Sequence, residues 1–301
     1  PQGSGALRLW LNFAQAQLTA ITADVRLVDV RLQLRPNLPE LDLLRLDGRL
    51  AAKRLENGFA AETKHLMLST RDGTSLPATD FKLRWQTSAQ RAPQGSIAAN
   101  TLDFGALGRL ASYLPLTETL RAQLTRYAPQ GKLSDLTLDW QGNIDKLKTW
   151  SIKSRFEKLG VNGLGPIASI SNISGQIEGS DQGGSVRLDG KNSHVDLPAV
   201  FAEPRIVLDS FAAGVGWKSA ADGLHVNLQK ATFANQDAAG EASGSWHALA
   251  NGPGEIDLVA RLTRGNGNAV WRYIPLAVGQ ITRDWLRTGI LGGAASETAL
   301  T

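Results

Sequence analysis

Histidine is the residue type best suited to acid–base chemistry and metal binding near neutral pH. The chain has four histidines, which lie far apart in the sequence: His65, His194, His225 and His247. None has a second histidine or a pair of carboxylates at the spacing typical of metal ligands. We therefore expect structural or solvent-exposed roles for all four, with no metal site and no catalytic residue.

Other motifs that carry chemistry are incomplete. Gly131-Lys132 is followed by Leu133, where a phosphate-binding loop requires Ser or Thr. Gly214–Gly216 and Gly265–Gly267 match only the start of a dinucleotide fingerprint, outside any strand–helix–strand pattern. The chain has no cysteine, which excludes disulfides, thiolate metal sites and cysteine nucleophiles. These observations predict that the chain is not an enzyme and needs no cofactor.

The charge pattern argues against a nucleic-acid partner. The net charge is +4, from 32 basic and 28 acidic residues, but Lys and Arg alternate with Asp and Glu and form no basic stripe. Aromatic residues make up only 6% and do not interleave with a basic cluster. A mixed, solvated surface is the expected result.

Apolar and polar residues alternate with period two along most of the chain, which is typical of strands with one wet face and one apolar face. Short turn signals such as Asn57-Gly58 and Asp222-Gly223 separate the alternating runs, so we predict antiparallel meanders. The alternation changes parity at Leu27–Val28, where we expect a β-bulge. The fold class predicted is mainly β.

Two segments near 105–127 and 269–290 have helical spacing instead, each interrupted by a proline. Tyr113–Leu116 in the first corresponds to Tyr273–Leu276 in the second, which indicates an internal repeat. The chain is therefore divided into approximate units 1–130 and 131–290, with 291–301 starting the next strand. Thr117 is the expected cap of the second helix in the first pair.

Four tryptophans fall near the ends of predicted strands: Trp85, Trp140, Trp217 and Trp246. One interpretation is that they plug sheet edges or pack under helices. The other places them at the rim of an apolar channel, with the indole N–H toward water.

The second helical segment carries a recognisable signature. Trp271–Leu276, followed by Thr282–Leu286 and Gly289–Gly293, resembles the RYLP … T..WL … G pattern of the YhdP family in the AsmA-like superfamily. Ile274 departs from the pattern, which has Leu there. The resemblance covers residues 96–301 best, and residues 1–95 resemble the family only in being rich in strands.

This resemblance implies a bridge-like lipid transfer protein of Gram-negative bacteria, anchored in the inner membrane and projecting through the periplasm. It implies an elongated, twisted antiparallel sheet curled into a hydrophobic groove that carries phospholipid toward the outer membrane. The family has no known cofactor or catalytic residue. The chain starts without Met, so we expect a fragment of a longer protein whose membrane contacts lie outside it.

The predicted groove-lining residues are chosen by strand parity, because the apolar set should point inward. A structural or adhesive extracytoplasmic β-sheet protein with a filled core would show the same alternation and stays open as an alternative. The predicted lining residues are Val30, Leu32, Leu34, Leu44, Leu46, Leu83, Leu136, Leu138, Val226 and Leu258.

Overall fold

The fold is described from a computed structural model, which describes residues 3–88, 90, 92–114, 116–143, 146–164, 167–249, 252 and 254–300. Within these residues, 16 strands form one long antiparallel sheet that is not closed, accompanied by four short helices. The strands follow one another in the sheet in chain order, except that the last strand pairs with β14 beside β15. The mainly β fold class is thereby confirmed.

Most strands have ten or more residues, as expected for runs of sustained alternation. The first eight are β1 Ser4–Ala14, β2 Gln17–Leu32, β3 Leu41–Leu55, β4 Gly58–Thr70, β5 Ser75–Gln86, β6 Gln94–Asp103, β7 Gln130–Asn143 and β8 Lys146–Leu164. The others are β9 Ile167–Ser180, β10 Gly183–Asp196, β11 Arg205–Ala220, β12 Gly223–Ala234, β13 Ala238–His247, β14 Glu255–Asn266, β15 Ala294–Ala295 and β16 Thr298–Leu300.

The helices lie where the alternation stops, which confirms both predicted helical pairs. The first pair is α1, Phe104–Leu110, and α2, Glu118–Tyr127; the second is a 3₁₀ helix, Gly267–Tyr273, and α3, Gln280–Gly289. Thr117 caps α2 as predicted, because its Oγ1 accepts from the backbone N–H of Leu120 at 3.3 Å. In the described part of the chain, none of the helices has the length and apolar character needed to span a bilayer.

Two units emerge from the pattern of contacts along the chain. The first unit comprises residues 1–125 and 132–155, and the second comprises 126–131 and 156–301. Each unit contains its own run of paired strands. The first unit also contains α1 and most of α2, and the second contains the 3₁₀ helix and α3.

The parity change in β2 is accommodated differently from the expected bulge at Leu27–Val28. β2 pairs with β3 without a register shift, and Asp29 takes a left-handed conformation with φ 52°. The shift occurs on the other side of β3, against β4, between Leu43 and Arg45. No register shift against β3 occurs at Leu27–Val28, and the irregular backbone near the expected position is that of Asp29, one residue beyond Val28.

A small packed core lies where α1 meets the sheet of the first unit. Leu41 and Leu43 on β3 are buried against Leu110 of α1, and Leu43 is only 1% exposed. The partly buried residues around this cluster are Leu32, Leu46, Leu68, Tyr113 and Leu114. Helix α1 thus covers one end of the apolar side of β2–β4.

Candidate functional site

The first unit presents a continuous apolar face, because strand register aligns apolar residues side by side. Directly paired residues on neighbouring strands point to the same face of a sheet. One row of such pairs crosses seven strands with apolar side chains only: Leu11, Ile21, Ala52, Ala61, Leu83, Ile97 and Leu138. The adjacent row contains Leu9, Ala23, Leu50, Thr63, Phe81, Ala99 and Leu136. We call the face that carries these rows the first apolar face.

The second unit has an equivalent surface, which we call the second apolar face. Its rows run from β9 to β14 and contain both small and large residues. One row is Ile177, Val186, Val215, Leu228, Gly244 and Leu258. The next two are Gly175, Leu188, Ala213, Ala231, Ala242 and Ala260, and Gly179, Gly184, Trp217, Val226, Trp246 and Ile256.

Much of the two apolar faces is open to solvent. Leu9 and Leu11 in β1 are exposed, and Ile256 in β14 is 71% exposed. Toward β6 and β7, at the far end of the first unit from β1, Ala99 and Leu136 are buried, whereas Leu83 and Leu138 are half-buried. Large apolar side chains that remain accessible over several strands mark a binding surface more often than a packed core.

The opposite side of the sheet is charged. In the first unit, Arg49 forms a two-pronged pair with Asp24, with its Nη2 at 2.9 Å from Oδ2, and Arg26 and Arg45 both bond Asp47 at 3.1 Å. Hydrogen bonds from Arg49 lower the pKa of Asp24 below its ordinary value. Shallow hollows on this side lie where alanines separate long Lys and Arg side chains. The two sides therefore differ sharply in polarity.

The structure distributes the ten predicted lining residues over three environments. Leu83, Leu136 and Leu138 lie on the first apolar face, and Val226 and Leu258 lie on the second. Val30 is paired with the buried Leu43, and Leu32 and Leu46 pack against the core under α1.

Two predicted lining residues occupy a different environment. Leu34 is exposed beyond the end of β2, and Leu44 is exposed at the register shift of β3. The neighbouring Leu43 takes the buried position instead.

Sequence reasoning missed the glycines that lie under the tryptophan rings. A Cβ on Gly95 would meet the Trp140 ring at 2.2 Å, and one on Gly184 would come within 2.6 Å of the Trp217 ring. Both glycines are direct strand partners of these tryptophans. Trp85 lies beside Trp140 with ring centroids 6.0 Å apart. The indoles therefore lie along the sheet surface, at one end of each apolar face, rather than standing away from it.

The segment Trp271–Leu276 ties its helical pair to the ends of sheet strands. Arg272 donates from Nη1 to Asp237 Oδ2 at 3.0 Å, and the Tyr273 hydroxyl donates to the same oxygen at 3.1 Å. Asn235 Nδ2 donates to the Tyr273 hydroxyl at 2.8 Å. Burial raises the pKa of Tyr273, so its hydroxyl keeps the proton that it donates. This polar cluster holds the helical pair against the ends of the sheet strands.

Fold and surface together define a class of mainly β protein in which a broad apolar face, rather than a polar pocket, is the candidate binding surface. A family model described as YhdP protein matches residues 1–301, so the chain belongs to the YhdP family. The match includes residues 1–95, where the sequence motifs were weakest. Family membership indicates AsmA-like lipid transport, and the family is not known for enzymatic activity.

None of the curated proteins and none of the solved structures compared with the chain matches it significantly.

Proposed function

We propose that the chain is a segment of a bridge-like lipid transporter that shields phospholipid acyl chains on its apolar faces. The observation that carries this proposal is the row from Leu11 to Leu138, which crosses seven strands without a polar side chain. Accessible apolar surface of this extent is costly in water unless a ligand or partner covers it.

The energetics favour a surface over a tight pocket. A phospholipid with two acyl chains has about 30 methylenes, and at about 0.8 kcal/mol each their exposure costs roughly 24 kcal/mol. A trough lined by apolar residues of mixed size would remove most of that cost without a specific polar contact. Lipid must also move along such a trough. A surface that binds acyl chains with similar strength along its length therefore suits transport better than one tight binding site.

The wider setting of the proposal follows from the family. We infer a periplasmic segment whose full-length protein is anchored in the inner membrane and passes phospholipid toward the outer membrane. The units 1–130 and 131–290, with 291–301 beginning a further strand, are proposed as successive stretches of one elongated groove. Side chains on both apolar faces, Leu138 and Val226 among them, would line it.

A matched pair of neighbouring residues tests the proposal. Leu258 lies on the second apolar face and is 43% exposed, whereas Val259 is paired with Ser243 on the opposite side and is 48% exposed. Leu258→Asp should reduce phospholipid co-purification, measured by native mass spectrometry, and photocrosslinking of an acyl-chain probe. Val259→Asp adds the same charge at similar exposure and should leave both signals unchanged.

A second pair probes the first unit in the same way, with Leu138→Asp compared with its neighbour Thr137→Asp. Circular dichroism melts separate loss of lipid from loss of folding, and the exposed Leu258 is the safer position. If the two members of each pair retain lipid equally, the apolar faces do not carry it. A structural sheet with a filled core, the alternative, would bind no acyl-chain probe in the wild-type protein.

A further inference from the structure

In the second unit, the side of the sheet opposite the second apolar face brings together two histidines that are far apart in sequence. His225 on β12 and His247 on β13 are direct strand partners, and their rings stack with centroids 4.1 Å apart and planes 12° apart. Asp222, in the turn before β12, lies beside both rings. This side is opposite to the second apolar face, which carries Val226 and Trp246.

The donor atoms of these three residues converge. Asp222 Oδ1 lies 3.0 Å from His225 Nε2, and Asp222 Oδ2 lies 3.7 Å from His247 Nε2. All three ligand atoms lie within 4.8 Å of one another. Donor atoms bound to one tetrahedral Zn²⁺ are about 3.4 Å apart, so the spacing of these atoms suits one ion once the two rings turn out of their stacked arrangement to point both nitrogens at it.

One of these donor atoms, His247 Nε2, lacks a hydrogen-bond partner. His247 Nε2 is buried and makes no hydrogen bond, because 3.7 Å to Asp222 is beyond bonding distance. A buried polar atom without a partner is unfavourable, and in native proteins it calls for an explanation such as an ion or water. A cation between the rings and the carboxylate would satisfy this nitrogen.

We propose that Asp222, His225 and His247 form a binding site for a divalent transition metal, with Zn²⁺ as the reference ion. Two imidazoles and one carboxylate form a mixed N and O donor set that suits Zn²⁺, Ni²⁺ and Cu²⁺ and disfavours Ca²⁺ and Mg²⁺. Three protein ligands leave one position for water. The site joins the β11–β12 turn to the end of β13, so metal should hold these three strands together at one end.

The test uses the 301-residue chain, free of any affinity tag and stripped of metal by chelator and dialysis. Titration with ZnCl₂ in a calorimeter should show saturable uptake of one ion per chain and a higher melting temperature. Replacing Zn²⁺ with Co²⁺ should give the visible absorption of a low-coordinate N and O site. Uptake should weaken at lower pH, because protons compete with metal for the imidazole nitrogens.

Variants locate the site and control for folding. His247→Ala and His225→Ala should each weaken Zn²⁺ binding by at least about 100-fold, since losing a ligand costs more than losing a partner of a ligand. His65→Ala is the matched control, because His65 also lies near a carboxylate, Asp80 at 3.8 Å, without a second histidine. Melting in chelator checks folding, and His247→Gln serves if the alanine variant is unstable.

Binding that vanishes in the His225 and His247 variants and persists in His65→Ala establishes the site. No saturable uptake, or uptake equally strong in His247→Ala, would overturn it. Lipid binding enters none of these measurements, so the result is independent of the function proposed above.

Discussion

Single residues decide how the tryptophans lie on the sheet. Gly95 faces Trp140 across β6 and β7, and nearly all space for a side chain at Gly95 is filled by the indole. Gly95→Ala should therefore displace the ring and lower the free energy of unfolding by about 1–3 kcal/mol in denaturant melts. Gly108→Ala is the control, because nothing lies within 4 Å of its added methyl in α1 and alanine favours helix by about 1 kcal/mol. Equal effects of the two variants would contradict this account.

A carboxylate in the second unit should give a measurable pH dependence. Arg205 donates two hydrogen bonds of 2.8 Å to Asp196, and Ser169 donates a third at 2.6 Å. These bonds, those of Arg205 first, hold the pKa of Asp196 well below its usual range. Asp196→Asn should then lower the free energy of unfolding at pH 7 by about 1–2 kcal/mol.

The sign of the pH effect follows from the lowered pKa. A depressed carboxyl pKa stabilises the fold above the unfolded value of about 3.9 and loses that contribution as the pH falls below it. Wild type and Asp196→Asn should therefore begin to converge in stability below about pH 4 and continue to converge as the pH falls through the lowered pKa of Asp196. Asp257→Asn, at an exposed position of β14, controls for the loss of a surface charge. A gap that persists unchanged at low pH would refute the assignment.

At the scale of elements, we expect the Trp271–Leu276 segment to anchor its helical pair to the sheet. Arg272 bonds the nearly buried Asp237 and pairs with Glu203 at 3.2 Å, and Asp237 raises the pKa of Arg272. Arg272→Ala should cost about 2 kcal/mol in chemical denaturation, because it leaves a buried carboxylate with one partner fewer. Arg287→Ala removes only a stacking contact on Trp271, 4.7 Å from its ring centroid, and should cost less than about 1 kcal/mol. A larger loss of stability in Arg287→Ala than in Arg272→Ala would exclude this anchoring role.

For the whole molecule, the separation of an apolar and a charged side predicts dye binding by the native state. The folded chain should enhance the fluorescence of an apolar dye such as ANS, because rows of accessible Leu, Ile and Val are already present before unfolding. Phospholipid added as short-chain monomers should displace the dye competitively. Native protein without fluorescence enhancement, or dye unaffected by lipid, would argue for a filled core.

Local sequence patterns predicted most of the secondary structure. Period two and period 3.6 are properties of a few neighbouring residues, so the alternating strands, the helical pairs and the capping of α2 by Thr117 follow from the sequence. The motif around Tyr273 also indicated the family, and the family match confirms it. The lipid itself remains a proposal, because no side-chain motif encodes an acyl chain.

Tertiary structure decided which residues stand opposite one another. The burial of Leu43 in place of Leu44, the seating of Trp140 over Gly95 and the pairing of His225 with His247 all depend on register between strands. Register is a long-range choice, since a partner strand lies tens of residues away and a shift of one residue moves every side chain to the other face. The sequence by itself therefore determined the strands and their two faces. Only the pairing of the strands determined the apolar rows across the sheet, the packing of the tryptophan rings over glycines, and the histidine cluster.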